Sequence, residues 1–173
     1  KQAYLKANKN ASPGRIIFEK HRDKHRVTNV MDHVVMLLID KNGNRKVRSL
    51  KRYNKKFQDS FMRSLIVFLE PSDLKGTALL TRQLAEDEYK QWLYLPDQKV
   101  LQRIASRSKR SSFMGSDFTY EDLQPDSMNN YNFSSPETET IDNQDCFVID
   151  ITPKEKKNSS YGKRRVWIRK DIY

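Results

Sequence analysis

Three groupings of side chains have the types and spacing that site chemistry requires. His21 and His25 stand four residues apart with Asp23 between them, a spacing that on a helix would present two metal ligands on one face. His21–Arg26 reads instead as a charged turn, and no cysteine or carboxylate cluster accompanies it, so a solvated turn and no metal site are expected. Asp40, Asn42 and Asn44 alternate as at the start of a calcium loop, but glycine falls at the fourth position and Lys51 stands where the bidentate glutamate belongs. Cys146 lies in the strand-like DCFVID and reads as a small core residue rather than a nucleophile. As the single cysteine it forms no internal disulfide and says little about compartment. Asn10, Asn132 and Asn158 each begin an N-x-Ser match, a pattern common by chance. There is no phosphate-cradling glycine loop and no GxSxG elbow. The expectation is a protein without catalytic residues, cofactor or metal: not an enzyme.

The elements that would position a binding site therefore matter more than any constellation. At 173 residues the chain has the size of one domain. Charged residues make up 32% of it and hydrophobic ones 36%, a balance that suits a sheet with one apolar face better than a doubly buried parallel sheet. No apolar run approaches the ~18 residues of a membrane span. Lys1–Ala11 shows no signal-peptide pattern, as expected of a chain that is not an uncleaved precursor.

The net charge of +11 is unevenly distributed. No Lys or Arg lies between Ser111 and Pro153, whereas nine acids do, so the remainder carries +20. The densest basic cluster is Arg45, Lys46, Arg48, Lys51, Arg52, Lys55 and Lys56. It reads as a solvated face or as a surface for anionic lipid, an acidic partner or nucleic acid. The acidic segment would repel phosphates, which argues against a pure nucleic-acid binder.

Along the chain, Lys1–Pro13 is polar and reads as a short helical remnant or a frayed lead-in, and Arg15–Glu19 as a short strand. Val30–Asp40 and Arg45–Tyr53 flank Asn42-Gly43, a strong hairpin signal. Met31–Ile39 is apolar at both parities, which predicts a strand covered on each side. Phe61–Leu69, Thr77–Leu84, Tyr89–Leu95, Val100–Ala105, Thr140–Ile151 and Lys163–Ile168 read as further strands. Ser106–Ser112 and Gln124–Pro136 read as mobile rim loops. Between them, Ser112–Leu123 (SFMGSDFTYEDL) reads as a strand with Phe118 and Tyr120 on one face. Eight or nine short strands with hairpin-length links predict a mostly antiparallel meander.

Several unusual strings occur in a telling order: Phe68–Leu80 (FLEPSDLKGTALL), Gln91–Ile104 (QWLYLPDQKVLQRI), Phe113–Leu123 (FMGSDFTYEDL), Asp145–Pro153 (DCFVIDITP) and Val166–Tyr173. Together they closely resemble the bacterial outer-membrane lipoprotein-sorting family, relatives of the LolA and LolB carriers, over about Arg45–Tyr173. The resemblance implies one LolA-like domain over residues 1–173. It would be mainly β with a few helices: a strongly curved antiparallel sheet forming an unclosed barrel, with helical segments on its concave side. Family members continue past a VWIRKDIY-like strand and begin with an export signal and a longer helix, so the last strands are expected to be missing here.

The function implied is periplasmic carriage of lipoprotein acyl chains or other lipid in the envelope of a Gram-negative bacterium. The implied partners are an inner-membrane transporter and an outer-membrane acceptor, with peripheral membrane contact and no nucleic acid. A carrier of acyl chains needs apolar side chains facing a cavity, and aromatics supply large contact area with little entropy to lose. Leu37, Phe68, Trp92, Tyr94, Phe118 and Tyr120 are the expected lining, although each reads equally well as a core filler. Arg45, Lys46, Arg48, Lys51 and Arg52 are the expected anionic-surface contacts. Two other readings compete: a non-enzymatic module docking an envelope transporter or assembly machine, and a nucleic-acid-binding sheet that would need more exposed aromatics than Tyr53 and Phe57.

Overall fold

The computed structural model describes residues 11–25, 29–58, 61–85, 88–125 and 128–173. They form two compact units, one from residues 11–25 with 128–173 and the other within residues 29–125. The polar lead-in read over Lys1–Pro13 lies outside the described residues up to residue 10.

The second unit is a six-stranded antiparallel meander of β1 (Asn29–Ile39), β2 (Arg45–Lys56), β3 (Met62–Glu70), β4 (Ala78–Ala85), β5 (Glu88–Leu95) and β6 (Val100–Ile104), paired in chain order. The Asn42-Gly43 signal is borne out by the β1–β2 turn. Gly43 takes φ 82°, a left-handed value that costs a residue without Cβ little. The Asp40 carboxylate accepts from the backbone N–H of Asn42 at 2.8 Å and of Asn44 at 2.9 Å. Those bonds, led by one from the Asn44 side chain, hold the Asp40 carboxyl below its ordinary pKa. The residues that mimic a calcium loop thus close a hairpin.

Alternation along the strands separates two faces. On one, Leu50, Ile66, Phe68, Leu79, Leu93 and Ile104 form a buried cluster. Ser112–Leu123 covers that cluster, and it does so as a chain of turns rather than as the expected strand. Phe113 N–H donates to the Phe118 carbonyl at 2.6 Å, and Ser116 N–H returns to the Phe113 carbonyl at 3.0 Å. Met114 (φ 50°) and Gly115 (φ 72°) reverse the chain between them. That reversal breaks the two-residue period, so Phe113 and Tyr120 both point inward, their rings edge-on with centroids 5.6 Å apart. The loop read at Ser106–Ser112 contains a 3-10 helix, Ser106–Arg110. It is tied to the covering stretch by Glu121 N–H donating to the Lys109 carbonyl at 2.9 Å.

The first unit holds the one α-helix among the described residues, α1 (Pro13–Lys24), where sequence suggested a strand and a turn. The overlooked signal is its start. The Ser12 hydroxyl accepts from Arg15 N–H at 3.4 Å, and Pro13 occupies the first turn, where it has no hydrogen bond to lose. Arg15 and Glu19 pair at 2.9 Å one turn apart, which outweighs the strand preference of Ile16 and Ile17. Phe18 packs with Ile149, Ile151 and Ile168 of a four-stranded sheet. At Gly14 the helix comes so close to Ser134 that a Cβ would sit 2.0 Å from its carbonyl oxygen.

That sheet comprises β7 (Tyr131–Phe133), β8 (Glu137–Ile141), β9 (Gln144–Pro153) and β10 (Arg164–Arg169), in the order β10-β9-β7 with β8 also pairing β9. The single strand expected over Thr140–Ile151 is a hairpin. Asp142 (φ 49°) and Asn143 (φ 61°) supply the two left-handed residues of a two-residue turn. Within the loop expected at Gln124–Pro136, Tyr131–Phe133 pairs with β9 and Met128 is buried. The fold class is therefore mainly β, and neither sheet closes on itself.

Candidate functional site

The unusual region is the other face of the six-stranded sheet. Along β1 the side chains alternate half-buried and exposed, and the exposed set is Met31, Val35, Leu37 and Ile39 with His33. The strand is thus covered on one side only, contrary to its doubly apolar sequence. Cross-strand register extends this exposed set over the whole sheet. One row runs Met31, Tyr53, Leu65, Leu80, Trp92 and Arg103, and the next His33, Lys51, Val67, Ala78, Tyr94 and Leu101; Leu65, Val67, Ala78 and Trp92 in these rows are half-buried. Beyond them Leu37 pairs with Val47. Exposure reaches 66% at Leu101 and 63% at Val35.

Leu37, at 52% exposed, therefore shares a surface with Tyr94 and the half-buried Trp92. The structure does not bring the other three expected lining residues to that surface. Phe68 is 1% exposed and points into the packed face, because its partner Leu50 has the core parity. Tyr120 is buried in the same cluster, and that burial pushes its phenol above the ordinary pKa, so it stays neutral. Phe118 stands on the covering stretch, 54% exposed, turned out by the reversal at Met114-Gly115.

The basic cluster of β2 is likewise divided by strand parity. Arg45 and Lys51 share the apolar face, whereas Lys46, Arg48 and Arg52 have the opposite parity. Arg52 is bound to Asp32 across the strand pair, with Nε 2.9 Å from Oδ2.

Sequence reasoning missed Met31, Val35, Ile39, Val47, Tyr53, Leu80 and Leu101 as members of the exposed surface. The available signal was the odd-numbered parity of β1 carried through the Asn42-Gly43 hairpin into Val47 and Tyr53. Only strand register could extend it to Leu80 and Leu101.

On the packed face the buried Gln91 side chain is fully engaged, whereas Arg48 Nη1 is buried without a hydrogen-bond partner among the described residues. The Gln91 side-chain amide donates to Thr81 Oγ1 at 3.2 Å and to the Tyr120 carbonyl at 3.0 Å, and its Oε1 accepts from Gln124 Nε2 at 2.7 Å. Among the described residues no group of three or more His, Cys, Asp or Glu could hold a metal ion. His21 and His25 do lie one helical turn apart, but the His25 Nε2 is engaged by the Tyr173 carbonyl oxygen. No described helix is long and apolar enough to cross a membrane.

A LolA superfamily protein from Nitrosomonas europaea, 18% identical, superposes with a TM-score of 0.63 over 92% of this chain and 67% of its own, a likeness of fold alone. A protein from Vibrio parahaemolyticus, provisionally described as an outer membrane lipoprotein-sorting protein domain, is 31% identical. It matches with a TM-score of 0.80 over 91% of this chain and 66% of that one. A DUF1329 family protein from Desulfovibrio piger is 33% identical, with a TM-score of 0.82 over 91% of this chain and 68% of that one. A family model described only as "Uncharacterized protein" matches residues 61–173. The chain belongs to this LolA-like DUF1329 family. It spans about two thirds of the length of each of these structures. No functionally curated protein matches it.

Proposed function

We propose that the exposed face of the six-stranded sheet binds acyl chains, and that the protein is a non-enzymatic periplasmic carrier in outer-membrane lipoprotein sorting. The observation that carries this reading is the set of exposed apolar side chains that share one face of the sheet, among them Met31, Val35, Leu37, Val47, Leu80, Tyr94 and Leu101. Exposed apolar side chains gathered on one face commonly mark a binding surface. Its aliphatic majority favours chains over nucleobases, which would stack on aromatic platforms. Each methylene withdrawn from water contributes about 0.8 kcal/mol, so one or two chains could be held without a polar contact.

The similar structures support the same reading, since one is described in lipoprotein-sorting terms and each matches across both units. On this reading the whole described chain serves as one LolA-like domain. The cargo would be a lipoprotein or lipid passing from an inner-membrane transporter to an outer-membrane acceptor.

Mass spectrometry of ligand extracted from the purified protein tests the proposal, together with titration of a fluorescent fatty-acid probe. Acyl lipid in the extract and saturable probe binding are expected. A protein that carries no lipid and ignores the probe, yet binds an envelope protein through this face, would be the docking module instead. Saturable binding of a single-stranded oligonucleotide without any probe binding would favour the nucleic-acid reading.

A further inference from the structure

The apolar face ends in a row of cations that runs across the strands. Lys55, Arg63, Arg82 and Lys90 lie side by side on β2, β3, β4 and β5, in direct cross-strand register. In sequence they are dispersed over 36 positions; only the meander aligns them. Like charges placed opposite each other destabilise a sheet. Adjacent strands lie about 4.8 Å apart, so the row holds its charges within one Debye length of their neighbours.

Lys90 approaches Glu88 at 3.8 Å. Among the described residues neither Lys55 nor Arg82 has a carboxylate within ion-pair distance. The other strand acid with this face's parity is Glu70, which pairs with Ser49 three rows from the cations.

The row also borders a pocket of about 550 Å³, lined by Lys55, Lys56, Phe57, Gln58 and Arg63. The Arg63 guanidinium carbon sits 3.9 Å above the Phe57 ring centroid, and Lys55 Nζ lies 5.5 Å from it. One side of the pocket is therefore cationic, and the adjoining sheet surface is the apolar row Met31, Tyr53, Leu65, Leu80 and Trp92. This arrangement suits an amphiphile whose charged end is anionic.

We propose that the cargo face selects a phospholipid with an anionic headgroup, which Lys55, Arg63 and Arg82 hold beside Phe57 while its chains lie along the apolar rows. The inference rests on the acyl-chain reading and adds to it the charge and the direction of the lipid. The contact takes only Lys55 from the basic β2 hairpin suggested by sequence, and three of the five residues expected there as anionic-surface contacts have the other parity.

The test compares two single-chain lipids with the same tail, lysophosphatidylglycerol and lysophosphatidylcholine, as monomers displacing a fluorescent fatty-acid probe. Each basic residue near an anionic lipid adds roughly a fivefold preference. The unaltered protein should therefore favour the anionic lipid by well over tenfold, and Lys55→Gln with Arg82→Gln should reduce that preference to roughly the fivefold that Arg63 alone supplies. Inorganic phosphate, at an ionic strength matched with chloride, should leave bound lysophosphatidylglycerol in place. A ratio near one in the unaltered protein, or a preference undiminished by the double substitution, overturns the headgroup seat while leaving the chain-binding reading intact. Displacement by phosphate but not by chloride reassigns the seat to a free anion. Absence of binding by either lipid overturns the carrier reading and the seat together.

Discussion

The two faces of the six-stranded sheet are built from the same strands and the same kinds of residue, yet they have opposite fates. On one, Leu50, Ile66, Phe68, Leu79 and Leu93 are buried beneath Phe113 and Tyr120. On the other, Val35, Leu37, Val47, Leu80 and Tyr94 remain exposed. Hydrophobicity alone does not separate Leu79 from Leu80 or Leu93 from Tyr94; parity does. A packed face stabilises the fold by burial, whereas an unpacked apolar face keeps its burial energy for something that binds.

Substitutions that act on one face only would sharpen or break this contrast. The largest effect is expected for Phe68→Ala, which should lower stability by about 3–5 kcal/mol in denaturant titration, because it leaves a cavity between Leu50 and Phe113. A loss below about 1 kcal/mol would mean that this face is loosely packed and that the comparison is mistaken. Next is Gln91→Ala, which leaves Thr81, Gln124 and the Tyr120 carbonyl without their shared partner. Each buried group left unsatisfied costs about 1–3 kcal/mol, and the loss should appear as lower stability with the covering stretch exchanging its amide hydrogens faster.

Leu80→Glu tests the open face. Stability should move by no more than about 0.5 kcal/mol, while fatty-acid probe affinity falls by about tenfold, since a carboxylate would meet the chain. A stability loss like that of Phe68→Ala, with unchanged probe binding, would show that this face is packed in solution. The smallest effect belongs to Phe118→Ala. Its ring is exposed on the covering stretch, so both stability, within about 0.5 kcal/mol, and probe affinity should stay as they are. A marked fall in probe affinity would return Phe118 to the binding surface.

What the sequence by itself determined is the local chemistry of the chain. Asn42-Gly43 dictates a tight hairpin because its backbone readily takes the left-handed turn, and the structure places β1 and β2 on either side of it. The strings around Phe68, Gln91 and Phe113 were enough to mark the resemblance to the LolA-like family. Where a local signal is weak or divided, as at Arg15–Glu19 or Asp142-Asn143, reading along the chain mistook a helix and a turn for strands.

Tertiary structure alone decided which apolar residues are core and which are surface. A strand such as Met31–Ile39 has apolar side chains at both parities, so its pattern does not say which parity a neighbour will cover. That choice was made by Ser112–Leu123, whose reversal at Met114-Gly115 drives Phe113 and Tyr120 onto the Leu50 and Phe68 side. The cation row has the same origin. Lys55, Arg63, Arg82 and Lys90 are unremarkable in four separate segments, and hydrogen-bonded register places them side by side because a side chain's neighbours across a sheet are set by pairing and not by distance along the chain.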